Sequence, residues 1–270
     1  MTIPIHILST GRTGTVFFSR LFGNLYPEVD AYHERGISRP VQILTNLYFD
    51  GLIPRQGPIL AWKIFKGREV ARCKKPYHLD ANSFLYGISS VAPDLIPGLK
   101  VVHIVRDPRT YVTSHLNYAR YKKSSFIANY LVPFWQPSPL LSGKIPMKKC
   151  LSLSRLEKYA WIWDFKNKVI ESIENTEIPY LRIRFEDIFN TINPEENFSR
   201  MTDFIGLPRQ SNVREFFNRP ENQAPKDHIH EWTEWEPTQC LQLQEICGNL
   251  MTKYGYGDET AWQQKTGISK

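Results

Sequence analysis

One stretch near the start of the chain constrains the fold more than any other. The apolar run IPIHILS (3–9) predicts a buried strand, and TVFFSRLFGNL (15–25) carries apolar side chains at helical spacing. The two are joined by STGRTGT (9–15), which is made of small residues and one arginine. Such a strand-to-helix turn aims backbone N–H groups and the positive end of the helix dipole at one point. The sequence therefore predicts an α/β fold with an anion-binding loop.

Strand and helix patterns alternate along the rest of the chain. This alternation predicts a parallel sheet covered by helices on both faces, with ligands beyond the carboxyl ends of its strands. Further strands are predicted at 59–65, 77–80, 100–105 and 178–185. A loop is predicted at 31–35, and helices near 41–49, at 83–92, after Pro108, at 154–173, at 195–205 and, as the last one, at 237–254.

Composition limits the class of protein. Of 270 residues, 41% are hydrophobic and 13% aromatic, which is enough for a packed core. A formal net charge of +7 suits anionic ligands without saying which. We expect one domain over 1–270, with the proline-containing segment 121–150 as an acceptor-side insertion or lid.

Location is predicted from what the sequence lacks. The four cysteines have neither zinc-site spacing nor a disulfide pattern. No run reaches the ~20 apolar residues that span a bilayer, and no signal-peptide pattern precedes the first strand. We therefore expect a cytoplasmic protein without a membrane span, and the dispersed positive charge argues against a nucleic-acid partner.

The first loop departs from the usual nucleotide-triphosphate loop. The Walker A pattern requires lysine directly before Ser or Thr, and no lysine precedes Thr15. Three readings remain open from the loop alone: a loop for another anion, a kinase or NTPase with a degenerate P-loop, and a non-catalytic polyanion-binding module.

A second motif, VVHIVRDPRTYVTSHLNY, follows a later strand. It places Arg106 just after the strand and Ser114 two turns into the next helix, where a guanidinium and a hydroxyl suit a phosphate. Asp107 is assigned a structural role, either capping the helix or orienting Arg106.

The two motifs in this order resemble the sulfotransferase superfamily, whose donor is 3′-phosphoadenosine 5′-phosphosulfate (PAPS). IRFEDIF (183–189) and the closing tryptophans with Tyr254 add to the resemblance. It implies a P-loop-like three-layer α/β fold with a central parallel sheet, PAPS as donor, adenosine 3′,5′-bisphosphate as product and no metal requirement. The residues it assigns to the donor are Gly11, Arg12, Thr13, Gly14, Thr15, Val16, Arg106, Ser114 and Lys226.

The resemblance also implies catalytic roles. Arg12 is assigned to the 5′-phosphate and bridging oxygen, and Glu34 is the first choice of base, with His33 the second. Lys63, at the end of the predicted strand 59–65, is a candidate for contacting sulfate, and Asn82 either caps a helix or lines the cleft. The expected acceptor is a hydroxyl, or less often an amine, of a glycan, glycolipid or small metabolite, with Phe134 and Trp135 as acceptor-side candidates. The oligomeric state is left open.

Overall fold

The computed structural model describes residues 2–121, 135–140, 145–210, 213–217 and 231–267. These residues form two compact units. The first consists of the described residues of Met1–Val105 and Lys166–Asn222, and the second consists of those of Arg106–Phe165 and Gln223–Lys270. The single-domain organisation with a lid at 121–150 stays a prediction, and most of that segment lies outside the described residues.

A five-stranded parallel sheet forms the centre of the first unit. The strand order is β2-β3-β1-β4-β5, so that β1 lies between two strands that follow it in the chain. The α/β prediction with a central parallel sheet and flanking helices is confirmed. The strands are β1 (Ile3–Ser9), β2 (Val29–His33), β3 (Tyr77–Ala81), β4 (Lys100–Val105) and β5 (Tyr180–Arg184).

Helices connect these strands and make up most of the second unit. Short 3-10 helices occur at Ser83–Ser90, Ala92–Asp94, Ser172–Asn175 and Trp232–Glu234. The α-helices of the described residues are α1 (Thr15–Leu25), α2 (Ser38–Phe49), α3 (Gln56–Phe65), α4 (Gly67–Arg72), α5 (Pro108–Tyr121), α6 (Met147–Ser152), α7 (Arg155–Glu171), α8 (Phe185–Phe189), α9 (Pro194–Ile205), α10 (Arg214–Phe217), α11 (Pro237–Lys253) and α12 (Thr260–Thr266).

One face of the sheet is apolar. Alternation along β1 turns Ile5 and Ile7 to this face, where both are fully buried in the main hydrophobic core of the first unit. Phe22 of α1 belongs to the same core, and its ring centroid lies 5.3 Å from that of Phe198 on α9. The burial of these aromatic side chains attaches α1 to the sheet and so fixes the loop that precedes it.

The opposite face of the sheet carries buried polar side chains. His6 and Asp80 are partners in the β1–β3 register, and both are fully buried. His6 lies against Trp62 of α3, with ring centroids 5.2 Å apart. On β4, His103 meets the Tyr180 hydroxyl at 2.7 Å and Asn167 Oδ1 at 2.9 Å. These groups make the second face sensitive to pH.

Acid is expected to destabilise the protein through this face. Burial lowers the pKa of both His6 and His103 from 6.5 to about 3, so each is neutral in the folded chain. Below pH 6.5 these two histidines bind protons in the unfolded chain but not in the folded chain. The free energy of unfolding therefore falls by up to ~1.4 kcal/mol for each unit by which the pH is lowered and for each histidine. Urea unfolding between pH 7 and pH 4 measures this slope.

The variant His6→Leu isolates one of the two contributions. Neither ring nitrogen of His6 has a hydrogen-bond partner among the described residues, so leucine removes two unpaired polar atoms as well as the titrating group. In His6→Leu the pH dependence of the free energy of unfolding should decrease by the contribution of one proton, up to ~1.4 kcal/mol per pH unit. The control is His33→Gln, in which the pH dependence should stay as large as in the wild type. An unchanged slope in His6→Leu contradicts this explanation.

Two predicted elements were wrong, and five short helices were missed, namely α4, α6, α8, α10 and α12. ILAWKIF forms part of α3 rather than a strand, with Ala61 and Trp62 buried and Leu60 exposed. The prediction was wrong because a short apolar run is compatible with either a strand or a helix. The predicted loop at 31–35 is largely the end of β2. Helix α12 follows the helix that was expected to be the last.

Candidate active site

The loop after β1 has an unusual backbone. Gly11, Arg12 and Gly14 all have positive φ angles, of 99°, 57° and 75°. Arginine rarely adopts this conformation, and strained backbone of this kind concentrates at binding and catalytic sites. The Ser9 hydroxyl braces the turn by accepting hydrogen bonds from Gly11 N at 3.2 Å and from Thr13 Oγ1 at 2.6 Å. The Thr13 side chain is thus committed to the loop itself.

The start of α1 is suited to an anion. Gly14 stands at the N-cap without a side-chain cap, and the first turn contains no acidic residue. Successive N–H groups in such a turn form a concave anion-binding surface. A Cβ on Gly14 would lie 2.8 Å from Phe189 Cζ, so that both φ and packing require glycine. The buried Thr10 hydroxyl has no partner among the described residues. These features fit an oxyanion such as a phosphate or sulfate group.

Glu34 lies directly after β2 and has a positive φ of 50°. Its Oε1 accepts a hydrogen bond of 2.7 Å from the Ser83 hydroxyl, and its backbone N–H reaches the Ala81 carbonyl at 3.4 Å. His33 donates from Nδ1 to the same carbonyl at 3.1 Å, and its Nε2 lies 3.8 Å from Glu34 Oε2. The structure thus holds both candidate bases beside the end of β3.

A buried ion pair supports the segment after Glu34. Lys66 Nζ lies 2.8 Å from Asp80 Oδ2, and each side chain is 1% exposed. The same ammonium group donates to Glu69 at 2.7 Å and to the Arg35 carbonyl at 2.7 Å. Asn82 Nδ2 donates to Asp80 and, at 2.8 Å, to the Ser38 hydroxyl. Residues 35–38 are therefore attached to β3 through side chains that the sequence reading had not linked.

Lys166 is a second buried lysine in the first unit. Its side chain is 3% exposed, and Nζ lies 4.8 Å from the centroid of the Tyr86 ring. Burial lowers the pKa of Lys166 to about 7, while the Glu34 carboxylate acts in the opposite direction. No sequence pattern singled out Lys166, because its partners lie far away along the chain.

From Arg106 onward, the second motif belongs to the second unit. Arg106 Nε donates to the Thr110 hydroxyl at 3.1 Å, and the Arg106 carbonyl accepts a bond of 2.8 Å from Trp163 Nε1. Ser114 follows Thr110 by one turn of α5, which places the two on the same face. Both Ser114 and Arg106 are half-buried.

Asp107 has the capping role predicted as one alternative. Its Oδ1 accepts from Arg109 N at 2.8 Å, and its carboxylate also binds the Arg109 side chain, at 2.6 Å to Nη2. Arg109 is buried, donates to both carboxylate oxygens of Glu259 and lies over the rings of Trp232 and Trp262, with Cζ 4.3 and 5.0 Å from the centroids. Hydrogen bonds from Arg109 hold the pKa of Glu259 below its usual range.

Other predicted residues fall elsewhere. Lys63 is exposed on α3, so its assignment to the end of a strand was wrong. Asn82 caps the 3-10 helix Ser83–Ser90 by accepting from Phe84 N at 3.0 Å, as its structural alternative predicted. Lys226 and Phe134 lie outside the described residues.

Three solved structures resemble the chain over most of its length. A sulfotransferase from Alicyclobacillus acidocaldarius has a TM-score of 0.53 at 14% identity, covering 97% of this chain and 99% of that chain. Mouse sulfotransferase SULT7A1, crystallised with PAP, has 0.52 at 12%, covering 99% and 90%. Sulfotransferase STF9 from Mycobacterium avium has 0.51 at 10%, covering 94% and 77%. The chain has the sulfotransferase fold. Because the identities are so low, the likeness establishes the fold alone.

Comparison of sequences identifies no family for this chain. No protein-family model matches the chain, and no curated protein does either. Within the described residues, no group of His, Cys, Asp and Glu side chains is arranged to hold a metal ion. None of the helices described is long and apolar enough to cross a bilayer.

Proposed function

We propose that the protein transfers the sulfuryl group of PAPS to a hydroxyl group of a small-molecule or glycan acceptor. The observation that carries the proposal is the loop of Gly11, Arg12 and Gly14, three positive-φ residues that follow the central strand of a sulfotransferase fold. A loop of this kind presents N–H groups to an anion that is bound at the start of α1.

The donor is assigned to residues of both motifs. Arg12 and the backbone N–H groups from Thr13 to Phe17, with the Thr15 hydroxyl, bind the 5′-phosphosulfate. Arg106 and Ser114 bind the 3′-phosphate, where a guanidinium and a hydroxyl provide directed donors. Lys226 is retained as a further contact to the nucleotide. The positive charge of the protein takes the place of a metal ion in this proposal.

Glu34 is the proposed general base. PAPS, when bound, supplies an electrophilic sulfur whose leaving group is a phosphate. Glu34 takes the hydroxyl proton while the acceptor oxygen forms a bond to sulfur and the bond from sulfur to the 5′-phosphate oxygen breaks. The products are a sulfate ester, protonated Glu34 and the bisphosphate, whose charge Arg12 stabilises. Ser83 orients the carboxylate through its 2.7 Å hydrogen bond.

A cytoplasmic location is part of the proposal. All four cysteines belong to the described residues and carry free thiols. Three of them, Cys150, Cys240 and Cys247, are buried. Free thiols suit a reducing compartment.

The donor site is tested by thermal titration with adenosine 3′,5′-bisphosphate. At about a hundred times Kd the ligand is expected to stabilise the protein by about 2.7 kcal/mol. Arg106→Ala should weaken binding by roughly tenfold or more, because it removes charged hydrogen bonds to a phosphate. The exposed Arg200→Ala is the matched control. A larger response to ATP with magnesium than to the bisphosphate excludes the proposal.

A further inference from the structure

A cleft of about 370 Å³ opens beside Glu34 in the first unit. It lies at the junction of β2 and α2, on the segment that the buried pair Lys66–Asp80 supports. A small aromatic or aliphatic molecule fits a volume of this size. The cleft is lined by Glu34, Gly36, Ile37, Ser38, Arg39, Pro40 and Phe84.

The walls of this cleft are partly apolar. Ile37 is 54% exposed although it is a large hydrophobic residue, and Pro40 and the half-buried Phe84 line the same space. Covering such surface with an apolar ligand contributes roughly 25 cal/mol per Å². An apolar molecular body therefore matches this wall better than the hydroxyl-covered surface of a neutral sugar.

The cleft lining contains one carboxylate and one cation, and the two have different proposed roles. Glu34 supplies its one carboxylate, which the proposed reaction uses as the base. Arg39 supplies its one cation, in the first turn of α2, where no acidic residue is present. The Arg39 guanidinium carbon lies 5.6 Å from the centroid of the Phe84 ring, so the cation borders the apolar wall. A planar guanidinium at this border is complementary to a carboxylate or a similar anionic group.

We propose that this cleft binds the acceptor, and that the acceptor is a hydroxylated compound with an apolar body and an anionic group. Its hydroxyl faces Glu34, its body contacts Ile37 and Phe84, and its anionic group pairs with Arg39. This inference rests on the proposed function, because it uses Glu34 as the base. It favours a small amphipathic acid over a neutral glycan as the acceptor class.

Calorimetry with a matched pair of probes tests the acceptor class. The probes are p-hydroxyphenylacetate and its methyl ester, titrated into protein that is saturated with adenosine 3′,5′-bisphosphate. The wild type is expected to bind the acid roughly tenfold more tightly than the ester, the contribution of a charged hydrogen bond. Arg39→Gln should abolish this preference. Arg35→Gln is the control, because the exposed Arg35 lies over the Tyr32 ring and outside the cleft lining.

The other possible results distinguish an error in the acceptor class from an error in the proposed function. If the acid and the ester bind equally, if neither binds, or if the preference survives in Arg39→Gln, the inference about the acceptor class is wrong. Stabilisation by the bisphosphate alone is measured on the same samples. Its absence overturns the proposed function, whereas its presence with equal probe binding overturns only the acceptor class.

Discussion

Replacing Glu34 with glutamine is expected to slow sulfuryl transfer by roughly 10²- to 10⁴-fold, which is the usual contribution of a general base. Glutamine has almost the same shape, and its amide oxygen can still accept the hydrogen bond from Ser83 that measures 2.7 Å. It cannot take up the acceptor proton. Binding of adenosine 3′,5′-bisphosphate should therefore remain near the wild-type value. Single-turnover rates and a bisphosphate titration on the same preparation measure the two effects.

The control for this variant is Glu196→Gln, a change of the same kind at an exposed position of α9. It is expected to leave both rate and binding unchanged. If Glu34→Gln turns over at the wild-type rate, Glu34 is not the base. The role then passes to His33, whose Nε2 lies 3.8 Å from the Glu34 carboxylate, and His33→Gln becomes the decisive variant.

Replacing Lys66 with methionine is expected to lower the free energy of unfolding by about 3–5 kcal/mol, the loss seen when one partner of a buried ion pair is removed. Asp80, whose side chain is 1% exposed, would lose the ammonium group that now lies 2.8 Å from its Oδ2. Its Oδ1 has no hydrogen-bond partner among the described residues. The Arg35 carbonyl and Glu69 would also lose their donor. Urea denaturation measures the loss.

Lys63→Met is the matched control for this prediction. Lys63 lies three residues earlier and is exposed on α3, so the same substitution there should change stability by no more than ~0.5 kcal/mol. The double variant Lys66→Met/Asp80→Asn also removes the carboxylate that had paired with Lys66, and it should recover part of the lost free energy of unfolding. Equal stability of Lys66→Met and Lys63→Met would show that the buried pair contributes nothing.

The elements with strong local signals could be predicted from sequence. Helix α1 begins and ends where its apolar spacing and Gly14 place it, and β4 follows from a run of β-branched residues. ILAWKIF was misassigned because burial of Ala61 and Trp62 on one side of α3 depends on tertiary packing. In β2 the five residues VDAYH alternate too briefly to stand out from a loop.

For the same reason, the sequence pointed only to those parts of the candidate site that are local in the chain. Gly11, Arg12 and Gly14 lie together in one loop, so the motif itself revealed them. The contacts of Ser83 and Lys166 depend on residues far apart in the sequence: Ser83 binds a carboxylate 49 positions away. Arg109 pairs with Glu259 across 150 positions, which explains why the second motif was interpreted through Arg106, Asp107 and Ser114 and not through Arg109. Such pairings arise only from the folded chain.

The central claim is that this chain transfers a sulfuryl group from PAPS. Its most direct test is incubation of the protein with PAPS labelled in the sulfuryl group and a pool of small hydroxylated acids. The account predicts that label enters organic sulfate esters, with release of an equal amount of adenosine 3′,5′-bisphosphate, and that both are slowed by roughly 10²- to 10⁴-fold in Glu34→Gln. No more labelled ester than in a reaction without the protein would contradict it.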